Sequence, residues 1–168
     1  MKTKSYIIAM ISVIAGVFLD QYTKFLAVTH LKDAPFSIID GVFELRYLEN
    51  RGAAFGILQN QQIFFLITGV LLLVFCSILY TKLPMTKRML PLRICMIAIA
   101  AGAIGNMIDR IRLNYVIDFF YFRLIDFPIF NVADIFVTLS TFGIGFLILF
   151  YYKDEEIDSF FKFFHIKK

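Results

Sequence analysis

The chain has 168 residues, of which 60% are hydrophobic and 18% charged, and its mean hydropathy is +0.76. That balance is too apolar for a water-soluble globule and excludes a disordered chain or a collagen-like repeat. The 17 Lys and Arg exceed the 13 Asp and Glu only modestly and lie near the ends of apolar segments, which argues for membrane topology and against nucleic-acid binding. Cys76 and Cys95 sit inside apolar runs and imply no disulfide framework.

Crossing roughly 30 Å of hydrocarbon takes about 20 mostly apolar residues in a helix. Four stretches qualify, 6–28, 63–80, 92–108 and 135–152, so the chain is expected to be an all-α membrane protein built as a four-helix bundle. Lys2 and Lys4 before the first span imitate a secretory signal. No small-residue cleavage site follows, however, and Asp20 and Lys24 interrupt its far end, so a mature helix is expected.

The segments between spans carry their own patterns. In the first outer segment, 29–62, Phe43, Leu45 and Tyr47 alternate with Glu44 and Arg46 after Asp40-Gly41, which predicts a small β-hairpin on the membrane surface. The connection from Lys82 to Arg93 holds four basic residues and no acid. The second outer segment, 109–134, is dense in aromatic rings (Phe119, Phe120, Tyr121, Phe122, Phe127, Phe130) suited to the interface. The tail, 153–168, spaces Ile157, Phe160, Phe161 and Phe164 as one face of an interfacial amphipathic helix.

An even number of spans puts both termini on one side. That side collects ten basic and four acidic residues, against seven basic and nine acidic on the other. The positive-inside rule then places both termini in the cytoplasm.

Ionisable groups in membrane helices are expensive and are functional candidates by default. At 1.5 Å per residue, Asp20 lies about 21 Å along the first helix, and Asn106 about 20 Å beyond Arg93. Asp109 follows one turn later, Asp134 marks the outer mouth of the fourth helix, and Asp118 belongs to the segment that feeds it. Four separate stretches thus bring polar groups to one depth in the outer leaflet. Gly102, Asn106 and Asp109 share one stripe of the third helix, with Arg110 four residues after Asn106. Small-residue pairs on this helix also suit plain helix packing, and Asp20 with Lys24 suits a structural i,i+4 ion pair.

The chemistry these residues permit is narrow. His30 and His165 lie on opposite faces, and there is no HExxH or Cys/His cluster, which argues against a zinc hydrolase. No serine stands at the right depth with a base; Ser37 reads as a turn residue. Carboxylates remain. Two that share a site split their titration, so one is ionised while its neighbour holds a proton. Asp118 and Asp134 flank a segment able to fold back on itself. Asn131 and Asp134 equally suit an N-cap with an acid at the third helical position. A small proton-coupled transporter and a metal-dependent lipid phosphotransferase are the competing classes. The first expects acids near the midplane, the second several acids clustered at the cytoplasmic face.

These residues resemble the bacterial lipoprotein signal peptidases (signal peptidase II), a membrane aspartic protease family. The resemblance spans the chain and rests on five boxes in order: Asp20-Gln21-Tyr22-Thr23-Lys24, Asn50-Arg51-Gly52-Ala53-Ala54-Phe55-Gly56, Gly102 to Arg110 (Gly-Ala-Ile-Gly-Asn-Met-Ile-Asp-Arg), Val116-Ile117-Asp118-Phe119 and Phe130-Asn131-Val132-Ala133-Asp134. Two departures are visible. Ala101 precedes Gly102 where the family often has a second Gly, and Ile135 follows Asp134 where a Ser is common. Neither removes an ionisable group.

The resemblance implies one integral-membrane peptidase domain over residues 1–168. It implies cleavage of prolipoproteins just before a diacylglyceryl-modified lipobox cysteine, and inhibition by globomycin-type cyclic peptides. Asp118 and Asp134 would be the catalytic dyad. Asp20, Lys24, Asn50, Gly52, Asn106, Asp109, Arg110 and Asn131 would bind substrate or support the dyad. No metal or cofactor is expected, and the partners are prolipoprotein substrates and membrane lipids, with the enzyme acting as a monomer in the bacterial cell membrane. The N-terminal dipole of the fourth helix and Asn131 favour an ionised Asp134 as first base, with Asp118 as acid.

Overall fold

The computed structural model describes residues 2–53 and 57–157. Helix α1 (Lys2–His30) turns the pattern of a soluble helix inside out. Its buried residues are Asp20, Lys24 and Ala27, one stripe at i, i+4 and i+7, while Ile11, Ile14, Phe18 and Phe25 are exposed. The largest fully buried side chains among the described residues are all polar: Lys24, Asn131, Asp20 and Asp118. A chain surrounded by hydrocarbon gains little by hiding apolar groups and much by satisfying polar ones against each other.

Helices α2 (Gln62–Lys82), α3 (Leu90–Leu113) and α4 (Val132–Phe146) complete the bundle. All four helices are long and apolar enough to cross a membrane, α4 together with a π-helical end at Leu147–Tyr151. The strands fall in segments 29–62 and 109–134, between helices. The helices run past the limits that hydropathy sets, most clearly α3, which continues through Leu113 instead of stopping at 108. Asp109 does not break the helix because it is buried and paired inside the bundle. Helix α3 is central: α1, α2 and α4 all pack against it. A Cβ on Gly102 would strike the backbone oxygen of Ala133, and one on Gly105 would strike the Asp20 carboxylate. Only glycine lets α1 and the start of α4 approach this closely.

The expected hairpin is present as β1 (Phe36–Ile39) and β2 (Phe43–Asn50), turned through Gly41 at φ +73°. Ser37, expected as a turn residue, lies instead in β1 opposite Glu44, and its hydroxyl donates to Asp40 Oδ1 in the turn at 2.6 Å. Glu44 departs from the alternation. It is buried, with its carboxylate 3.4 Å from Arg123 and 3.9 Å from Arg46. A third strand, β3 (Val116–Tyr121), pairs antiparallel with β2 to complete the sheet. Leu45 faces Phe120 and Leu48 faces Asp118, so two residues of β2 oppose one of β3 in a bulge. Beyond it Asn50 stands opposite Val116, which puts its side chain on the same face as Asp118, two residues along.

At the opposite end, Leu83, Leu92, Met96, Leu147 and Tyr152 form an apolar cluster with Ile157 packed against it. Arg93, the last residue of the basic connection, is buried. Most of the predicted amphipathic tail, residues 158–168, lies outside the described residues. Cys76 and Cys95 are free thiols.

Candidate active site

Asp118 reaches the site because β3 begins almost at once after α3. Asn114 adopts the left-handed conformation (φ 63°) and donates its N–H to Arg110 O at 3.1 Å, ending the helix. Asp109 Oδ2 then accepts the Ile117 N–H at 3.2 Å and pins the strand. Asp118 is 1% exposed. Its Oδ1 accepts from Asn131 Nδ2 at 2.7 Å and its Oδ2 from Asn50 Nδ2 at 2.8 Å. Burial, with the neighbouring charge of Asp134 second, pushes its carboxyl up to about 7; the bonds from Asn50 and Asn131 pull the other way.

Asp134 comes from α4, whose start is a reciprocal capping box. Asn131 Oδ1 accepts the Asp134 N–H at 2.9 Å, and Asp134 Oδ2 accepts the Asn131 N–H at 3.1 Å. The other carboxylate oxygen, Oδ1, accepts from Asn106 Nδ2 at 2.8 Å. The capping role and a place at the site are therefore not alternatives: the same residues do both.

Behind the two carboxylates lies a buried ionic layer. Lys24 Nζ is 2.8 Å from Asp20 Oδ2 and 2.8 Å from Asp109 Oδ2, and donates to Asn106 Oδ1 at 2.8 Å. Its reach across to α3 exceeds the simple i,i+4 pair. Asp20 Oδ1 accepts the Ala133 N–H at 2.9 Å, so α1 caps α4 from the side. Three charges with matched hydrogen bonds are tolerable in an apolar bundle where one alone would not be.

The two carboxylates share the lining of a cavity of about 500 Å³. Asn50, Gly52, Asn106 and Arg110 line it as well, while Phe127, Ile135 and Leu139 give it apolar walls. Arg110 donates to Gly52 O at 3.3 Å and lies 4.4 Å from the Phe65 ring centroid. Gly52 in turn donates its N–H to Asn50 Oδ1 at 2.9 Å. The sequence-selected residues thus fall into two groups. Asp118, Asp134, Asn50, Gly52, Asn106 and Arg110 face the cavity; Asp20, Lys24, Asp109 and Asn131 are buried behind it. Gln21 went without an assigned role, yet it donates to Asp109 Oδ1 at 2.8 Å and to Gly105 O at 3.2 Å; its position beside Asp20 in the first box was the available signal. The backbone donors of Ile117 and Ala133 carry no side-chain signal at all.

Four helices long and apolar enough to cross a membrane, with two carboxylates at one cavity, fit the class of membrane hydrolases. The family model described as signal peptidase (SPase) II matches residues 12–152. The chain is 42% identical over 144 residues to the lipoprotein signal peptidase of Caldanaerobacter subterraneus subsp. tengcongensis, covering 84% of this chain and 96% of that one. It is 43% identical over 147 residues to that of Clostridioides difficile (strain 630), covering 87% and 95%. Its fold resembles a bacterial membrane enzyme solved by the in meso method at 2.3 Å, with TM-score 0.74 and 30% identity over 84% of this chain and 87% of that one. A second such enzyme, solved at 1.9 Å, gives TM-score 0.73 and 29% identity over 86% and 94%. The chain belongs to the signal peptidase II family. That membership sets aside the transporter and the phosphotransferase.

Proposed function

We propose that this chain removes the signal peptide from bacterial prolipoproteins, cutting just before the diacylglyceryl-modified lipobox cysteine, with Asp118 and Asp134 as its catalytic pair. The observation that carries the reading is the meeting of two hydrogen-bonded carboxylates on one cavity. Asp118 borders the cavity, held by two side-chain donors, with its carboxyl pushed up to about 7. Asp134 faces the α4 N-terminus and a backbone N–H, the setting that stabilises a negative charge. Asp134 takes a proton from water as the water oxygen attacks the scissile carbonyl. Asp118 then gives its proton to the departing amide nitrogen, and proton exchange between the pair restores the starting state.

Asn50 and Asn131 hold Asp118, Asn106 holds Asp134, and Arg110 with Gly52 orients the substrate backbone along the cavity. Asp20, Lys24 and Asp109 support from behind. The apolar wall of Phe127, Ile135 and Leu139 suits the acyl chains and signal helix, whose scissile bond lies where hydrocarbon meets water. The basic connection between α2 and α3 supports a cell-membrane topology with both termini cytoplasmic and the site near the outer leaflet. The enzyme acts as a monomer without metal or cofactor and is blocked by globomycin-type peptides.

The test uses purified protein with a synthetic diacylglyceryl-cysteine lipobox peptide and its unlipidated twin. The reading expects cleavage on the N-terminal side of the modified cysteine only, unchanged by chelator and stopped by globomycin. Equal turnover of the unlipidated twin, or loss of activity in chelator, would overturn it.

A further inference from the structure

At the end of the bundle away from the carboxylates, α2, α3 and the π-helical end of α4 enclose a second cavity of about 300 Å³. Its walls include Leu72, Cys76 and Leu83 from the α2 side, Met96 and Ile99 from α3, and Ile148 from α4, and Glu156 is its only charged residue among the described residues. Both Glu156 oxygens are within 3.1 Å of Arg88, and one accepts the Lys153 N–H at 2.9 Å, so its charge is matched. From Leu72 to Leu83 the slot runs about 16 Å along α2, and from Met89 to Ile99 about 15 Å along α3. That depth equals one leaflet's share of the hydrocarbon, about 15 Å.

The mouth is basic. Lys82, Lys87, Arg88 and Arg93 fall between residues 81 and 93 with no acid among them, and with Lys153 they outnumber Asp154, Glu155 and Glu156. Arg93 is 6% exposed, lies on the α3 stripe of Met89 and Met96, and donates through Nη2 to Thr86 O at 3.3 Å. Its Nε is buried with no partner among the described residues, an uncommon expense in a native fold. Lys87 is exposed.

We infer that this slot holds one acyl chain of an anionic phospholipid from the leaflet at the basic end, with the headgroup phosphate against the Lys82–Arg93 connection. Water gains little in a slot walled almost wholly by apolar side chains, its one carboxylate already matched by Arg88, and α2 is otherwise largely open to the bilayer, so lipid tail is the material at hand. The basic mouth selects anionic headgroups over zwitterionic ones. The inference rests on the multi-pass fold and not on the proposed catalytic pair.

The test is native mass spectrometry of the detergent-purified full chain offered equal amounts of phosphatidylglycerol and phosphatidylcholine. One phosphatidylglycerol per chain is expected, retained at least five-fold over phosphatidylcholine. Lys87→Glu is expected to erase the preference, and Leu72→Trp to abolish retention of both lipids. Ile148→Trp plugs the slot from the opposite wall should the first variant fail to fold, with the thermal midpoint as the check. Equal retention of the two lipids, or unchanged retention in a folded plugged variant, overturns the inference. Uptake of neither lipid assigns the slot to the chain's own later residues, and dimers that vanish on plugging assign it to a second copy; either result overturns it too.

Discussion

Asn131 holds Asp118 by a 2.7 Å hydrogen bond from its side-chain amide, and with its own oxygen it caps the helix that presents Asp134. One buried side chain therefore sets the position of both carboxylates. Replacing it by Ala removes the cap, at about 1 kcal/mol, and leaves a buried acceptor short of a donor, at about 1–3 kcal/mol more. Asn131→Asp is the sharper probe, because it keeps a good cap but turns an acceptor toward Asp118. The expected outcome is cleavage down at least 100-fold, with an unfolding midpoint lowered by the lost donor to Asp118 but a transition that stays cooperative. Wild-type turnover in that variant would dissociate the cap from the chemistry.

Asp20 never reaches the cavity, yet it joins Lys24 and the Ala133 N–H. Asp20→Ala leaves Lys24 with one carboxylate fewer and a backbone donor buried alone. A loss of about 3–5 kcal/mol is expected, the scale for breaking a buried ion pair by removing one partner. Chemical unfolding in detergent measures it. Asp20→Asn, which keeps an acceptor for Ala133, should lose less. Equal losses would place the whole effect on charge.

The glycines make a paired prediction. At Gly102 a methyl group meets the Ala133 backbone, whereas at Gly145 nothing lies within 4 Å. Gly102→Ala must push the start of α4, and Asp134 with it, so activity should fall at least ten-fold. Gly145→Ala should leave activity intact and stabilise the helix by about 0.5–1 kcal/mol. Paired rates and unfolding midpoints decide; similar behaviour of the two would argue against close packing as the positioning device.

Asp118, with its carboxyl at about 7, keeps its proton below that pH and loses it above. If it is the acid, kcat/KM declines as pH rises past about 7. Asn50→Ala removes a bond that favours the ionised form, so the alkaline limb should move to higher pH. A limb that stays put or moves down would assign the titration elsewhere.

The spans and the hairpin were legible because both rest on local pattern: long apolar runs, and alternation after Asp-Gly. The strand β3 was not. Val116–Phe119 are all buried, so Val-Ile-Asp-Phe shows no alternation, and the aromatics after it read as an interface belt. Its pairing with β2 is long-range and left no mark in either segment. Asn131 and Asp134 suited a cap and catalysis equally on spacing, because a capping box and a carboxylate site share the same short signature. Which of the selected residues face the cavity and which lie behind it also stayed hidden, since that depends on how α1 and α4 meet across Gly102 and Gly105. A basic residue at a span's end normally faces water, yet Arg93 is buried, its stem following the buried stripe of α3.

The most direct test of the account is single-turnover cleavage of the diacylglyceryl lipobox peptide by wild type, Asp118→Asn and Asp134→Asn, each checked for an intact unfolding transition. Both variants should fold and show no cleavage above background. Measurable turnover by either folded variant would contradict the paired-carboxylate mechanism.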